Sequence, residues 1–210
     1  MLIMKKCKGM TMLLAAAVLM LLLAACGADK KDADQKADPK PEKKTDATTQ
    51  ATEGTDAAVV YFSATGNTKD IAVQIANITG ADICEIEAAK PYTDEDLDYN
   101  DDASRASVEQ NDPDARPEIG GKDIDLAKYK FIFLGYPIWF GQAPRIMDTF
   151  VESQDLSDKI IVPFCTSGSS DIGDSADKLA GEADGDWQTG KRFAAGATED
   201  EIKEWLGTLK

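Results

Sequence analysis

The sequence contains no histidine among its 210 residues, and this absence excludes several classes of catalytic site. Without imidazole there is no Ser-His-Asp triad, no histidine-based zinc or haem site, and no general base with an unperturbed pKa near neutrality. Basic charge is also scarce, because 23 basic side chains stand against 38 acidic ones and give a formal net charge of −15. Carboxylates, thiols, hydroxyls and backbone amides remain for chemistry, or a cofactor that brings its own reactivity.

The negative charge is concentrated in residues 57–210, because residues 1–25 carry only basic charge and residues 26–56 are nearly balanced. A domain this acidic repels phosphate backbones and anionic membrane surfaces. We therefore expect no binding to nucleic acid, and we expect attraction to partner proteins with basic docking surfaces.

Residues 1–25 have the pattern of a secretion signal: three lysines precede an apolar run from Met12 to Ala25. This run is shorter than the roughly 20 residues that a membrane-spanning helix needs. The following Leu-Ala-Ala-Cys resembles the lipobox of bacterial lipoproteins, in which the cysteine becomes the lipidated first residue. We expect Cys26 to anchor an exported protein on the extracytoplasmic face of the bacterial cell membrane, through lipid alone. A permanent N-terminal span is the alternative.

Residues 26–56 contain the anchor cysteine and a segment with no aromatic and no large aliphatic side chain. Such a segment cannot bury enough apolar surface to offset the entropy of ordering, so we expect a disordered linker. A removed pro-segment is the alternative. Residues 57–210 are then left as one domain.

Within this domain, short apolar runs alternate with amphipathic segments. We predict strands over residues 57–62, 81–87, 131–135, 159–165 and 187–194. Apolar spacing predicts helices over residues 67–79 and 198–209 and after Pro144, and further helices are predicted over residues 102–111 and 173–179. Five alternations of this kind favour an α/β fold with a parallel sheet, helices on both faces and right-handed crossovers.

The motif that carries chemistry is Ser63-Ala64-Thr65-Gly66-Asn67-Thr68, between the first strand and the first helix. A hydroxyl-rich turn at this place offers backbone N–H groups and hydroxyls to an anion. The turn lacks the lysine and the glycine spacing of a nucleoside-triphosphate loop, so a single terminal phosphomonoester fits better. An ordinary helix cap is the alternative.

The same motif resembles the phosphate loop of flavodoxins. Residues 135–141 (GYPIWFG) resemble the aromatic loop after the third strand of that family, and residues 164–170 (FCTSGSS) resemble the loop after the fourth. The resemblance covers residues 57–210. It implies a flavodoxin-like three-layer fold, with a five-stranded parallel sheet in the order 2-1-3-4-5 that binds FMN at its switch point.

The resemblance also implies which residues bind FMN. The phosphate would be held by neutral donors, which are Ser63, Thr65, Gly66, Asn67 and Thr68. The flavin ring would lie against an apolar wall, formed by Trp139 with Pro137, Ile138 and Phe140 beside it, and Gly141 would permit a change in the backbone upon reduction. The pyrimidine edge would be covered by Thr166, Ser167, Gly168 and Ser169. For Trp139 the alternative is a plain core residue.

The acidic run over residues 94–102 lacks the glycine and the glutamate of an EF-hand, so we expect no metal site. It is either a solvated face or a docking surface for a basic redox partner.

Three functions are compatible with this sequence. The first is a monomeric, membrane-tethered electron carrier, of low potential because reduction adds negative charge to an acidic domain. The second is an FMN-dependent oxidoreductase that takes hydride from NAD(P)H and reduces a quinone or a small acceptor. The third is a lipoprotein that has lost the flavin. The intact phosphate loop disfavours the third, and the lack of an evident NAD(P)H pocket favours the carrier over the enzyme.

Overall fold

Seven β-strands and five α-helices are present in residues 55–209, the part of the chain that the computed structural model describes. The strands are β1 (Ala57–Phe62), β2 (Asp82–Ala88), β3 (Ile119–Gly120), β4 (Phe131–Pro137), β5 (Ile160–Thr166), β6 (Asp186–Trp187) and β7 (Lys191–Phe193). The helices are α1 (Asn67–Thr79), α2 (Arg105–Asn111), α3 (Arg145–Ser153), α4 (Ser175–Glu182) and α5 (Glu199–Leu206). The expected signal segment, the anchor Cys26 and nearly all of the expected linker lie outside the described residues.

The strands form one sheet in the spatial order β3-β2-β1-β4-β5-β6, and β7 also pairs with β5. All pairs are parallel except the short β2–β3 ladder. The predicted three-layer α/β fold is therefore confirmed. None of the helices in residues 55–209 is long and apolar enough to cross a membrane.

The sheet departs from the five predicted strands at its two edges. On one edge, Ile119 and Gly120 form a short antiparallel strand beside β2, where no strand is predicted. On the other edge, the predicted strand over residues 187–194 is broken into β6, which pairs with Ile160 and Ile161 of β5, and β7, which pairs with residues 164–166. The break lies opposite Pro163, which has no N–H group to offer a neighbouring strand.

Two apolar cores cover the two faces of the sheet, because successive side chains of a strand point to opposite faces. On β1, Val60 and Phe62 belong to the core that includes residues of α3 and α4. Val59 and Tyr61 belong to the core that includes residues of α1 and α5. With both faces covered, the edge that holds the carboxyl ends of the strands stays open for a ligand.

Two of the helix ends follow the predicted signals, whereas α2 and α4 begin later than predicted, α4 ends later and α5 ends earlier. Helix α1 ends at Gly80, whose φ of 73° is the left-handed conformation that glycine adopts readily. Helix α5 starts with the predicted capping box, in which the Thr198 hydroxyl accepts from the Glu201 N–H and the Glu201 carboxylate accepts from the Thr198 N–H.

Candidate functional site

Three loops meet at the carboxyl edge of the sheet, and Thr166 joins them. Its hydroxyl lies 2.7 Å from the hydroxyl of Thr68 in the loop after β1. Its carbonyl accepts a hydrogen bond from the N–H of Ile138 in the loop after β4, at 2.9 Å. Both hydroxyls are almost fully buried. The structure thus brings together the three loops that the sequence predicts as one site.

The loop after β1 leaves several backbone donors without an acceptor. Within the described residues, the N–H groups of Thr65, Asn67 and Thr68 have no hydrogen-bond partner. Gly66, the residue before α1, has φ 91° and ψ −21°, which turns the chain sharply so that these groups surround the start of the helix. Free N–H groups at a helix N-terminus attract an anion through their partial charge and by hydrogen bonding.

The side chains of this loop add neutral donors. The Ser63 oxygen accepts from the N–H groups of Gly66 and Lys69, at 3.1 and 3.2 Å, so its own O–H is left to donate outward. The Lys69 ammonium is paired with Glu85 at 2.8 Å. A phosphate at this loop would therefore be bound by hydroxyls and amides rather than by a free cation.

The loop after β4 forms a tight two-residue turn. The N–H and C=O groups of Trp139 pair with those of Gln142, both at 2.9 Å, and the residues between them, Phe140 and Gly141, have φ values of 49° and 81°. Positive φ at both central positions is the geometry of a type I′ turn. Glycine suits this conformation, whereas Phe140 adopts it at a cost of roughly 1 kcal/mol.

The structure corrects the expectation that Trp139 forms the exposed wall. Its ring is 3% exposed and packs edge-on against Phe62 and Tyr92, with centroids 5.7 and 5.0 Å away. Such edge-to-face contacts are the preferred geometry of buried aromatic rings. Because the turn points the next side chain outward, the aromatic surface of this loop belongs to Phe140. Phe140 is 49% exposed and lies 5.1 Å from Tyr99.

The loop after β5 is held by strand β7. The Ser167 N–H donates to the Phe193 carbonyl at 3.2 Å. The Arg192 guanidinium donates to the Ser167 hydroxyl and to the carbonyls of Ser167 and Gly168, at 3.1, 2.8 and 3.0 Å. Ser169 is exposed at the end of this loop. Of the predicted residues, Thr166 is thus the buried junction, Ser167 is held through its N–H, C=O and hydroxyl, and Gly168 and Ser169 are exposed.

Sequence reasoning missed three residues that shape the site. Arg192 holds the loop after β5, and Tyr99 contributes the second exposed ring. Gln110 on α2 donates to the carbonyls of Trp139 and Ala143, both at 3.1 Å, and so fixes the turn after β4. Each of them lies outside the three motifs, and no local pattern in the sequence marks them.

Titratable groups beside the loops are held in their neutral forms. Burial raises the pKa of Tyr92, and its hydrogen bond to Glu109 raises it further. Burial also raises the pKa of the Cys165 thiol to about 12. Neither group therefore loses its proton near neutral pH. In the described part of the chain no three acidic or thiol side chains come together as a metal site.

The donor set and the shape of this edge suit a flat, phosphorylated cofactor. The loop after β1 offers amides to a phosphomonoester, the rings of Phe140 and Tyr99 offer an apolar surface, and the loop after β5 offers further amides to a polar ring edge.

Comparisons with known proteins agree with this description. The family model for flavodoxin matches residues 56–209. A candidate flavoprotein of known structure from Bacteroides uniformis is 41% identical, with a TM-score of 0.70, over 74% of this chain and 99% of its own. A second one, from Bacteroides eggerthii, is 43% identical, with a TM-score of 0.67, over 73% of this chain and 96% of its own.

A flavoprotein from Lactobacillus acidophilus, solved in complex with FMN, shares the fold with a TM-score of 0.53. It is 21% identical, over 71% of this chain and 97% of its own. No protein of curated function matches the sequence.

Proposed function

The chain belongs to the flavodoxin family, and from this premise we propose that it binds FMN at the three loops and transfers electrons between proteins. The observation that carries the proposal is the set of backbone amides in the loop after β1 that have no acceptor among residues 55–209, in a loop that Thr166 joins to the loop after β5. Bound FMN supplies the chemistry, because it accepts and releases electrons one or two at a time.

Each loop would bind one part of the cofactor. The amides of Thr65, Asn67 and Thr68 would hold the phosphate, and the outward hydroxyl of Ser63 would add a donor. The exposed ring of Phe140 would pack on the flavin, where aromatic contact contributes roughly 0.5–1.5 kcal/mol beyond the area it buries. The amides of Gly168 and Ser169 would receive the polar edge of the ring.

The acidity of the domain supports a low reduction potential. Residues 57–210 carry a formal charge of about −16, so each electron added at the site increases an existing repulsion. The same negative charge favours redox partners with basic docking surfaces, since electrostatic complementarity accelerates the encounter of two proteins. We propose that the protein acts as a monomer.

The N-terminal sequence supports a location on the extracytoplasmic face of the cell membrane. The lipobox-like segment before Cys26 and the polar linker after it are consistent with an exported protein whose flavin domain is tethered to the cell membrane by lipid. Labelling with a radioactive fatty acid tests this, since Cys26→Ser should abolish the label and release the protein from membranes.

Binding of FMN is tested with the purified full-length protein by titration with FMN and with riboflavin. Asn67→Asp places a negative charge where the phosphate would lie, and at about 4 Å unit charges repel by up to about 4 kcal/mol. We expect at least a tenfold loss of affinity for FMN and little change for riboflavin. Asn77→Asp makes the same change on the exposed surface of α1, ten residues from the loop, and serves as the control.

If the wild-type protein binds neither flavin, the proposal fails. If Asn67→Asp weakens both flavins equally, the phosphate is held elsewhere. Adding NADH or NADPH to the yellow protein distinguishes the alternative function, because direct bleaching would indicate an oxidoreductase that uses a nicotinamide rather than a carrier between proteins.

A further inference from the structure

Arg192 is a cation at the candidate site that the sequence motifs do not contain. It lies on β7, in register with Cys165 of β5, which places its side chain beside the start of the loop after β5. Its guanidinium makes three hydrogen bonds, to the hydroxyl of Ser167 and to the carbonyls of Ser167 and Gly168. In this way one side chain binds two successive peptide groups.

The orientation of those peptide groups follows from their geometry. In a trans peptide the C=O of one residue and the N–H of the next point in opposite directions. Because Arg192 binds the carbonyls of Ser167 and Gly168, the N–H groups of Gly168 and Ser169 point away from it. Among the described residues neither N–H has an acceptor. Two neighbouring donors are therefore directed outward on the exposed side of the loop.

We propose that Arg192 is a positioning residue, which aligns the Gly168 and Ser169 amides to bind the polar edge of the flavin ring. This inference rests on the proposed function. Arginine suits the task because its planar fork can bind two carbonyls at once, whereas the ammonium of lysine is a point donor. Ordering a residue costs backbone entropy, so an aligned loop binds more tightly than a free one.

The guanidinium has a second consequence for the ring. Its positive charge lies behind the two peptide groups and points their dipoles outward. Negative charge that builds up on the ring edge during reduction is therefore stabilised, which opposes the repulsion from the acidic domain. Loss of Arg192 should lower both the affinity for flavin and the reduction potential of the bound flavin.

The test uses the full-length protein with Arg192→Met and Arg192→Lys. Lys191→Met is the matched control, because it removes the same charge from the adjacent, exposed position. Affinities are measured for lumiflavin, which has no phosphate, and for FMN. Amide hydrogen exchange at Gly168 and Ser169 is followed by NMR without any flavin, and thermal unfolding confirms that each variant is folded.

We expect Arg192→Met to weaken lumiflavin and FMN by the same factor, about tenfold, which corresponds to 1.4 kcal/mol. Exchange at the two amides should change, and the reduction potential should fall. Arg192→Lys keeps the positive charge but loses the planar group that binds two carbonyls. We therefore expect this variant to have the wild-type reduction potential but a weakened affinity for flavin. Lys191→Met should leave affinity and exchange unchanged.

Three results would overturn the inference while leaving the proposed function in place. The first is that Arg192→Met binds both flavins with wild-type affinity. The second is that Arg192→Met loses affinity for FMN but not for lumiflavin, and the third is that Arg192→Lys has wild-type affinity for flavin. A wild-type protein that binds no flavin would contradict the proposed function instead, and unchanged amide exchange in Arg192→Met would still reject the alignment on its own.

Discussion

Replacing the paired hydroxyls of Thr68 and Thr166 by methyl groups tests the junction between the loops. The two oxygens lie 2.7 Å apart, and the residues are 1% and 4% exposed. Among the described residues each hydroxyl has the other as its hydrogen-bond partner. Valine has nearly the shape of threonine, so Thr68→Val and Thr166→Val remove the hydrogen bond with little change in packing volume.

The expected free energies follow from the burial of the pair. Each single variant leaves one buried hydroxyl without a partner, which costs about 1–3 kcal/mol. The double variant leaves none, because both polar groups are replaced by apolar groups of similar shape, and such a change is often nearly neutral. The double variant should therefore be more stable than the sum of the single variants predicts, by at least about 1 kcal/mol.

Urea denaturation of the four proteins, followed by circular dichroism, measures this coupling. The slope of the free energy against urea should stay the same in all four, because the surface exposed on unfolding is unchanged. If the effects of the two substitutions simply add, the hydroxyls do not interact, and the loops after β1 and β5 are not joined in the way that the structure shows.

Two further predictions concern residues away from the loops. Gly135→Ala should destabilise the protein by about 1–3 kcal/mol in urea denaturation, because its new Cβ would lie 2.2 Å from the Phe164 ring; a neutral result would show that the ring can move aside. Burial and the charge of Asp148 raise the pKa of Glu182 from 4.5 to about 6. The folded protein therefore holds this proton more tightly than the unfolded chain, and stability is lost as pH rises from 4.5 through 6. Glu182→Gln should remove that loss and stabilise the protein by about 1 kcal/mol at pH 8, after allowance for solvent screening, with no gain at pH 4. An equal effect at both pH values would contradict the assignment.

The local signals in the sequence were sufficient for the fold. Helix α1 has the predicted bounds because a glycine stands directly before and directly after it, and α5 has the predicted capping box. The error at β6 and β7 has a physical cause in the neighbouring strand: β6 and β7 stop on either side of Pro163, which has no N–H to donate to them, whereas β4 pairs with β5 across this position. The sequence of a strand does not reveal which strand it pairs with. The break is therefore not predictable from residues 187–194 alone.

The sequence predicted which three loops form the site, but it did not predict the roles of their side chains. Two aromatic residues stand next to each other after β4, and the sequence does not tell which one faces the core. The type I′ turn decides it, and that turn depends on Gln110, whose hydrogen bonds reach across 29 and 33 residues. Arg192 likewise acts across 25 and 24 residues. Such contacts depend on the completed sheet and leave no mark in a local motif.

The scarcity of basic charge has a structural counterpart at the site. Near the loops, Lys69 is paired with Glu85, Arg105 with Glu109, and Arg192 is engaged by backbone carbonyls. These three cations order the protein itself, and the loop after β1 offers an anion amides and hydroxyls, which bind through direction and distance rather than through net charge. The surface around the site then keeps its negative charge. In the proposed function, cofactor binding and partner docking would therefore depend on different groups.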